Sequence, residues 1–296
     1  MTKRLATIQD LSCIGRCSLG VAMSIVPAMG IETVVLPTAI LSAHTAFDGF
    51  TFLDFTPEAE KIMQHWQALK LQFDTIYIGY LGSVQLIELT QRFLECFHTP
   101  QTKVVLDPAF GDHGRLYTGF DMEYVHAMRA LCSEADVILP NVTEACMLLD
   151  LPYSEDEACV QRLREASPAL LSGRLENVVI TSCVFPEGKM GLVCAGRDSF
   201  DYAHERLSLS CHGSGDVFAS VFSGLLTLDQ PLERAAQLAA DFTCACIRNS
   251  MQCEDHRWYG VDYEAMVPEL ALMARNLRQG RTASGRFPEL CFRRKP

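Results

Sequence analysis

Short apolar, β-branched runs recur through the first two thirds of the chain, at 5–8, 33–36, 75–78, 103–106, 136–139 and 177–181. Between them the apolar positions take helical spacing, as at 57–71, 84–97 and 155–171. This alternation predicts crossover units on a parallel sheet, with right-handed connections. The strands are apolar almost throughout rather than at every second position, which predicts helices on both faces. After Ser208 the spacing becomes helical. Val217, Phe218, Val221, Phe222, Leu225 and Leu226 share one face. Asp229 as N-cap and Pro231 in the first turn predict a second helix to about residue 247, and a last helix covers about 263–277. From Arg281 the periodicity stops, and the segment is expected to wrap the domain or fray. No linker, repeat or low-complexity segment intervenes. Residues 1–296 read as one α/β domain, with a mostly parallel central sheet, helices on both faces and no separate lid.

Composition narrows the possible functions. Apolar residues make up 49% of the chain, enough for a full core, and the net charge is −11. A nucleic-acid binder needs a basic stripe to neutralise phosphates, and the only basic run is the short 293–295. An acidic chain that binds ATP must offset phosphate charge locally, with Mg²⁺, backbone N–H groups or helix N-termini. The 13 cysteines are odd in number and most lie in apolar segments, as at Cys146, Cys183 and Cys194. They read as reduced thiols in a cytoplasmic protein. Lys3 and Arg4 imitate the start of a signal peptide, but Asp10 and Arg16 break the apolar stretch it would need. No apolar run approaches a membrane span. Cys244, Cys246, Cys253 and His256 are close in sequence, yet the first two fall on different faces of a helical pattern and no C-x-x-C pair exists. They read as helix core and loop rather than a zinc site.

In open parallel sheets ligands bind beyond the carboxyl ends of the strands, so the residues that follow each strand carry the chemistry. Gly213-Ser214-Gly215-Asp216 opens an apolar helix. The glycines let the backbone turn tightly and approach a ligand, and the N–H groups of Gly213, Ser214 and Gly215 can converge on an anion. A carboxylate there repels phosphate, so Asp216 makes sense as the base that accepts a hydroxyl proton. The plain alternative is a glycine turn with Ser214 or Asp216 as a helix cap. Asp107-Pro108-Ala109-Phe110-Gly111-Asp112 places two carboxylates after a buried strand, a pattern that suits Mg²⁺ or an ordinary Asp-Pro turn. Asn141 with Glu144 three residues later resembles a capping box, and the pair can also support a metal from behind. His44 adjoins Thr45 and a polar loop, which suits a substrate contact; Tyr80 can stack on a flat ring, and Ser83 can cap the next helix. Thr181 and Ser182 end a strand, where they can reach a nucleotide phosphate. The glycines match neither a dinucleotide fingerprint, whose third glycine falls on Phe218, nor a P-loop, since Val21 and Ala22 follow Gly20.

Taken together these segments resemble the ribokinase-like superfamily from about Leu5 to about Leu277, and within it the pyridoxal/pyridoxamine kinases. The Gly213–Asp216 run, the Asp107–Asp112 run and Asn141 with Glu144, in this order, are similar to the superfamily's anion hole and base, its Asp-Pro strand end and its Asn-x-x-Glu motif. Asp10-Leu11-Ser12 through Leu19, Ser42-x-His44-Thr45 and Gly79-Tyr80-Leu81-Gly82-Ser83 resemble the kinase branch. The resemblance implies a homodimer that phosphorylates the hydroxymethyl group of a B6-type pyridine with ATP. It implies that Asp10, Ser12, His44, Thr45 and Tyr80 line the pyridine pocket. Asp107, Asn141, Thr181 and Ser182 then serve ATP, and Asp107, Asp112 and Glu144 lie near Mg²⁺; a monovalent cation is a further cofactor to test for. The chain departs from the branch at Cys13-Ile14, Ala46-Phe47 and Ala109-Phe110, all on the substrate side, and at Ser214, which replaces threonine but keeps the hydroxyl. Rival readings are a hydroxymethylpyrimidine or sugar kinase and a non-catalytic pyridine- or nucleotide-binding regulator. A metal-binding interaction protein built on the 244–256 cluster is a third.

Overall fold

The computed structural model of the chain describes residues 2–281 and Phe287. The 293–295 basic run and Cys291, like most of the segment after Arg281, lie outside the described residues.

Among the described residues nine strands form one sheet: β1 (Arg4–Ser12), β2 (Glu32–Leu41), β3 (Phe52–Asp54), β4 (Thr75–Ile78), β5 (Lys103–Leu106), β8 (Val137–Ile138), β9 (Asn177–Phe185), β10 (Lys189–Gly196) and β11 (Phe200–Glu205). A two-stranded ribbon, β6 (Gly111–Asp112) and β7 (Arg115–Leu116), stands apart from it. The strand order is β11-β10-β9-β8-β5-β4-β1-β2-β3. The six strands from β9 to β2 run parallel, whereas β3, β10 and β11 are antiparallel additions at the two edges.

Side-chain alternation on the central strands builds two cores. Ile76, Ile78, Val104 and Leu106 face one, under helices α2 (Thr56–Ala68), α3 (Val84–Phe97), α4 (Met122–Cys132), α5 (Val142–Leu148) and α6 (Glu157–Ala166). Leu5, Tyr77 and Val105 face the other, under α1 (Ser18–Ala28), α7 (Ser214–Thr227), α8 (Leu232–Gln252) and α9 (Val267–Arg278). Each fully buried Leu, Ile or Phe contributes about 1.5–3 kcal/mol. The mostly parallel α/β sheet with helices on both faces is therefore as the sequence implied.

Four details differ. β2 runs on through Pro37, which lacks a ladder N–H, and its register against β1 shifts just there, between Gln9 and Leu11. The β10–β11 hairpin escaped the apolar pattern because β11 never sinks into the core and carries Asp201, His204 and Glu205. Asp229 does not cap α8; its backbone is left-handed, and its carboxylate pairs with Lys3 at 3.1 Å and Lys103 at 2.8 Å. Finally α8 continues to Gln252, past the expected end near 247.

Candidate active site

The carboxyl ends of β1, β4, β5, β8 and β9 and the start of α7 meet on one edge of the sheet. Three non-glycine residues there hold left-handed backbone: Ser18 at φ 47°, Ala109 at φ 43° and Ser182 at φ 60°. Each conformation costs of order 1–3 kcal/mol and persists only where its surroundings fix it. Ser18 opens α1, Ala109 lies on the loop after β5 and Ser182 lies within β9, where ligand groups would approach.

Gly213 precedes α7 with φ 75°, and a Cβ there would overlap the carbonyl oxygen of Arg16. No side chain caps α7, so its first N–H groups keep their capacity to bind an anion. Asp216 lies in that first turn. Burial, together with the charges of Asp107 and Asp10, pushes its carboxyl up to about 8, while the Ser18 N–H holds it down. A carboxyl with affinity for protons near neutrality thus lies in the first turn of a helix whose N–H groups no side chain caps.

Glu144 is arranged in the opposite way. It is buried, and it accepts from the N–H of Phe110 at 2.9 Å, of Gly111 at 3.3 Å and of Asn141 at 2.9 Å. Asn141 Oδ1 accepts from the Glu144 N–H at 3.0 Å, which completes a capping box, and Asn141 Nδ2 donates to the Gly111 carbonyl at 2.8 Å. Burial still pushes Glu144 up to about 7. Asp107 is raised by burial and then by the charge of Glu144, with the Ala109 N–H in partial compensation.

Acids raised by burial and by one another fit a site completed by a cation. Among the described residues, however, no three His, Cys, Asp or Glu side chains are disposed to hold a metal ion by themselves. The expectation of Asp107, Asp112 and Glu144 as a joint set near the ion is therefore revised. The oxygens of Glu144 are taken by backbone donors, and Asp112 is exposed with its carboxylate on the His113 N–H at 2.8 Å.

On the acceptor side Asp10 is buried, raised by that burial, and accepts from Ser12 Oγ at 3.0 Å. Tyr80 rests against Phe120, ring centres 5.5 Å apart, and burial and then the charge of Asp10 push its phenol up to about 12. Ser83 caps α3 as expected, accepting from the Leu86 N–H at 3.3 Å. His44, expected to line the pyridine pocket, makes its polar contacts within the protein. Its Nδ1 accepts from the Ala46 N–H at 3.2 Å, so Nε2 donates to the Tyr259 carbonyl at 3.1 Å. Both ring nitrogens are occupied within the protein, and the ring packs against Phe47, His212 and Trp258. His44 therefore latches two loops and offers no free polar atom to a substrate, while Thr45 is exposed beside it. Thr181 donates its N–H to the Pro140 carbonyl at 2.9 Å and bridges Asn141, which brings Ser182 to the same edge.

Three residues of this edge were given no role from the sequence: Ser18 and Cys17, though both lie in the 10–19 run that resembled the kinase branch, and Tyr117, which had no signal. The Ser18 N–H lowers the proton affinity of Asp216. The Cys17 thiol is raised by burial and then by the charges of Asp216 and Asp10. The Tyr117 phenol, raised by burial, feels Glu144, Asp112, Asp107 and Asp216 in turn. Cys244, Cys246, Cys253 and His256 form no metal group, and Cys244 and Cys246 are buried in α8.

Known proteins share this architecture. Residues 30–260 match the phosphomethylpyrimidine kinase family. A Bacteroides thetaiotaomicron protein named for the same kinases and crystallised with pyridoxal is 38% identical, covers 91% of this chain and 96% of its own, and superposes with a TM-score of 0.85. Pyridoxal kinase from Lactobacillus plantarum is 31% identical over 93% of this chain and 99% of its own, with a TM-score of 0.83. The pyridoxine/pyridoxal/pyridoxamine kinase of Bordetella bronchiseptica is 27% identical over 248 residues, 80% of this chain and 85% of that one.

Proposed function

The chain belongs to the phosphomethylpyrimidine kinase family, on its pyridoxal kinase branch, and from that premise we propose that it transfers the γ-phosphoryl group of ATP to the hydroxymethyl group of a B6-type pyridine. The observation that carries the reading is the uncapped start of α7, with Gly213 in the left-handed region and Asp216 raised to about 8 in the first turn. Phosphoryl transfer asks a protein mainly for positioning and charge stabilisation. The amides of Gly213, Ser214 and Gly215 cradle the moving phosphoryl group, and Asp216 takes the alcohol proton. Asp10, Ser12 and Tyr80 orient the acceptor ring, and Thr181 and Ser182 face the nucleotide. Asp107 would hold the Mg²⁺ that accompanies ATP, whose charge offsets that of the phosphates, and Glu144 keeps the Phe110–Gly111 backbone in place behind it.

The match to pyridoxal kinases, and to a relative crystallised with pyridoxal, favours a pyridine acceptor. The family's name favours hydroxymethylpyrimidine, a second reading with the same machinery. A purely binding regulator has no need of an acid raised toward neutrality. A homodimer is consistent with the exposed Phe50, Phe52 and Leu53 along the β3 edge, and a cytoplasmic site with the free cysteines. A panel of pyridoxal, pyridoxine, pyridoxamine and hydroxymethylpyrimidine with Mg·ATP tests the choice. One of the pyridines should exceed the pyrimidine in kcat/KM by at least about tenfold, a difference of about 1.4 kcal/mol. A preference for the pyrimidine overturns the pyridine reading, and ATP turnover with none of the four overturns both.

A further inference from the structure

The loop from β1 into α1 carries a cation that the chemistry above does not use. Arg16 donates from Nε to Glu264 Oε1 at 2.8 Å, and its Nη1 pairs with Asp262 Oδ1. Asp262 is buried, and its other oxygen lies 2.7 Å from His256 Nδ1. The Asp262 N–H donates to Ser250 Oγ at 2.7 Å, and its carbonyl accepts from Asn249 Nδ2 at 3.1 Å. The end of α8, the segment that follows it and Arg16 are thus tied in one knot.

The knot touches the anion cradle at three points. The Val261 N–H donates to the His212 carbonyl at 3.1 Å, directly before Gly213. The Arg16 carbonyl oxygen presses on the Cα of Gly213 so closely that a Cβ there would overlap it. Two residues on, the Ser18 N–H lies near enough to the carboxyl of Asp216 to lower its proton affinity. One short stretch, 16–18, therefore sets both the glycine turn and the base, and its side-chain anchor is the Arg16 guanidinium. A partly buried ion pair adds little to stability over an apolar contact of similar size, but it fixes geometry, and a misplacement of about 1 Å can cost on the order of 10²-fold in rate.

We propose that Arg16, clamped by Asp262 and Glu264, is a positioning residue that sets the Gly213 cradle against Asp216. The proposal rests on the kinase reading. Its test measures turnover and hydrogen exchange of the backbone at 211–217 in Arg16→Met, Asp262→Asn, the double variant and Arg16→Lys. In Arg16→Met, kcat should fall roughly 30- to 100-fold while KM for ATP and for the alcohol stays within about threefold, the signature of an interaction lost in the transition state. The double variant should be no slower than the slower single, Lys should restore part of kcat, and exchange at 211–217 should speed about tenfold. Turnover within about threefold of wild type with unchanged exchange overturns the proposal, as does a rise of KM matching the fall of kcat. Should Arg16→Met fail to fold, Arg16→Lys keeps the charge but not the two-pronged fork, and it decides alone. If the unsubstituted protein phosphorylates none of the alcohols, the kinase reading falls and the exchange data still decide whether Arg16 orders the cradle.

Discussion

Two helices start on the ligand edge of the sheet with an acid in their first turn, and they are finished in opposite ways. At α5 the start is closed: Asn141 and Glu144 cap each other, and Glu144 gathers three backbone N–H groups. At α7 the start is open: Gly213 has no side chain to offer, no cap is made, and Asp216 has little to hold its charge. A carboxylic acid in the first turn thus takes one of two states, set by what surrounds it. A carboxylate saturated by backbone donors fixes a loop. A carboxylate left raised toward neutrality beside unsatisfied amides is equipped to exchange a proton with a ligand.

Substitutions at the two helix starts should separate these roles. Asp216→Asn keeps the shape and removes the base; turnover should fall about 10²–10⁴-fold with the KM values little changed, and a loss below about tenfold, measured in steady state, breaks the contrast. Gly213→Ala forces a Cβ into the Arg16 carbonyl at positive φ, which should destabilise by roughly 1–3 kcal/mol in chemical denaturation and abolish most activity. Gly215 has open space around its Cα, so Gly215→Ala should keep the melting temperature within a few degrees of the original; equal damage at both positions would deny Gly213 its special place. Glu144→Gln leaves a buried N–H with a poorer partner and should cost about 1–3 kcal/mol, with a smaller fall in kcat than at Asp216.

A weaker effect follows from pH. Folded Asp216 keeps its proton to about pH 8, whereas the unfolded chain releases it near the ordinary value of about 3.9. Across that window the unfolded state binds fewer protons, so unfolding free energy falls as pH rises. The ligand-free protein should lose stability from about pH 4 to about pH 8, by at most about 1.4 kcal/mol per pH unit from this group. Glu144, raised to about 7, adds in the same direction. Asp216→Asn should flatten the decline; a melting temperature with the same pH profile in both proteins would show that the acid is not raised.

Much of this contrast was legible in the chain. The apolar runs gave the parallel core strands, and two glycines before an apolar helix marked the cradle. Asn141 and Glu144 at capping spacing marked the closed start. What stayed hidden depends on contacts far apart in sequence. That His44 turns both nitrogens inward follows from the Tyr259 carbonyl, 215 residues away. That Glu144 also ties down the Phe110–Gly111 backbone follows from amides more than 30 residues away. The edge strand β11 was invisible because a strand outside the core has no apolar run to betray it.

The central claim is that the open start of α7 receives the moving phosphoryl group. A crystal structure with Mg·ADP, fluoroaluminate and pyridoxal tests it most directly. The account predicts the fluoroaluminate within hydrogen-bond distance of the Gly213, Ser214 and Gly215 amides, with the pyridoxal hydroxymethyl oxygen between it and Asp216. An anion seated elsewhere, with those amides facing water, would contradict it.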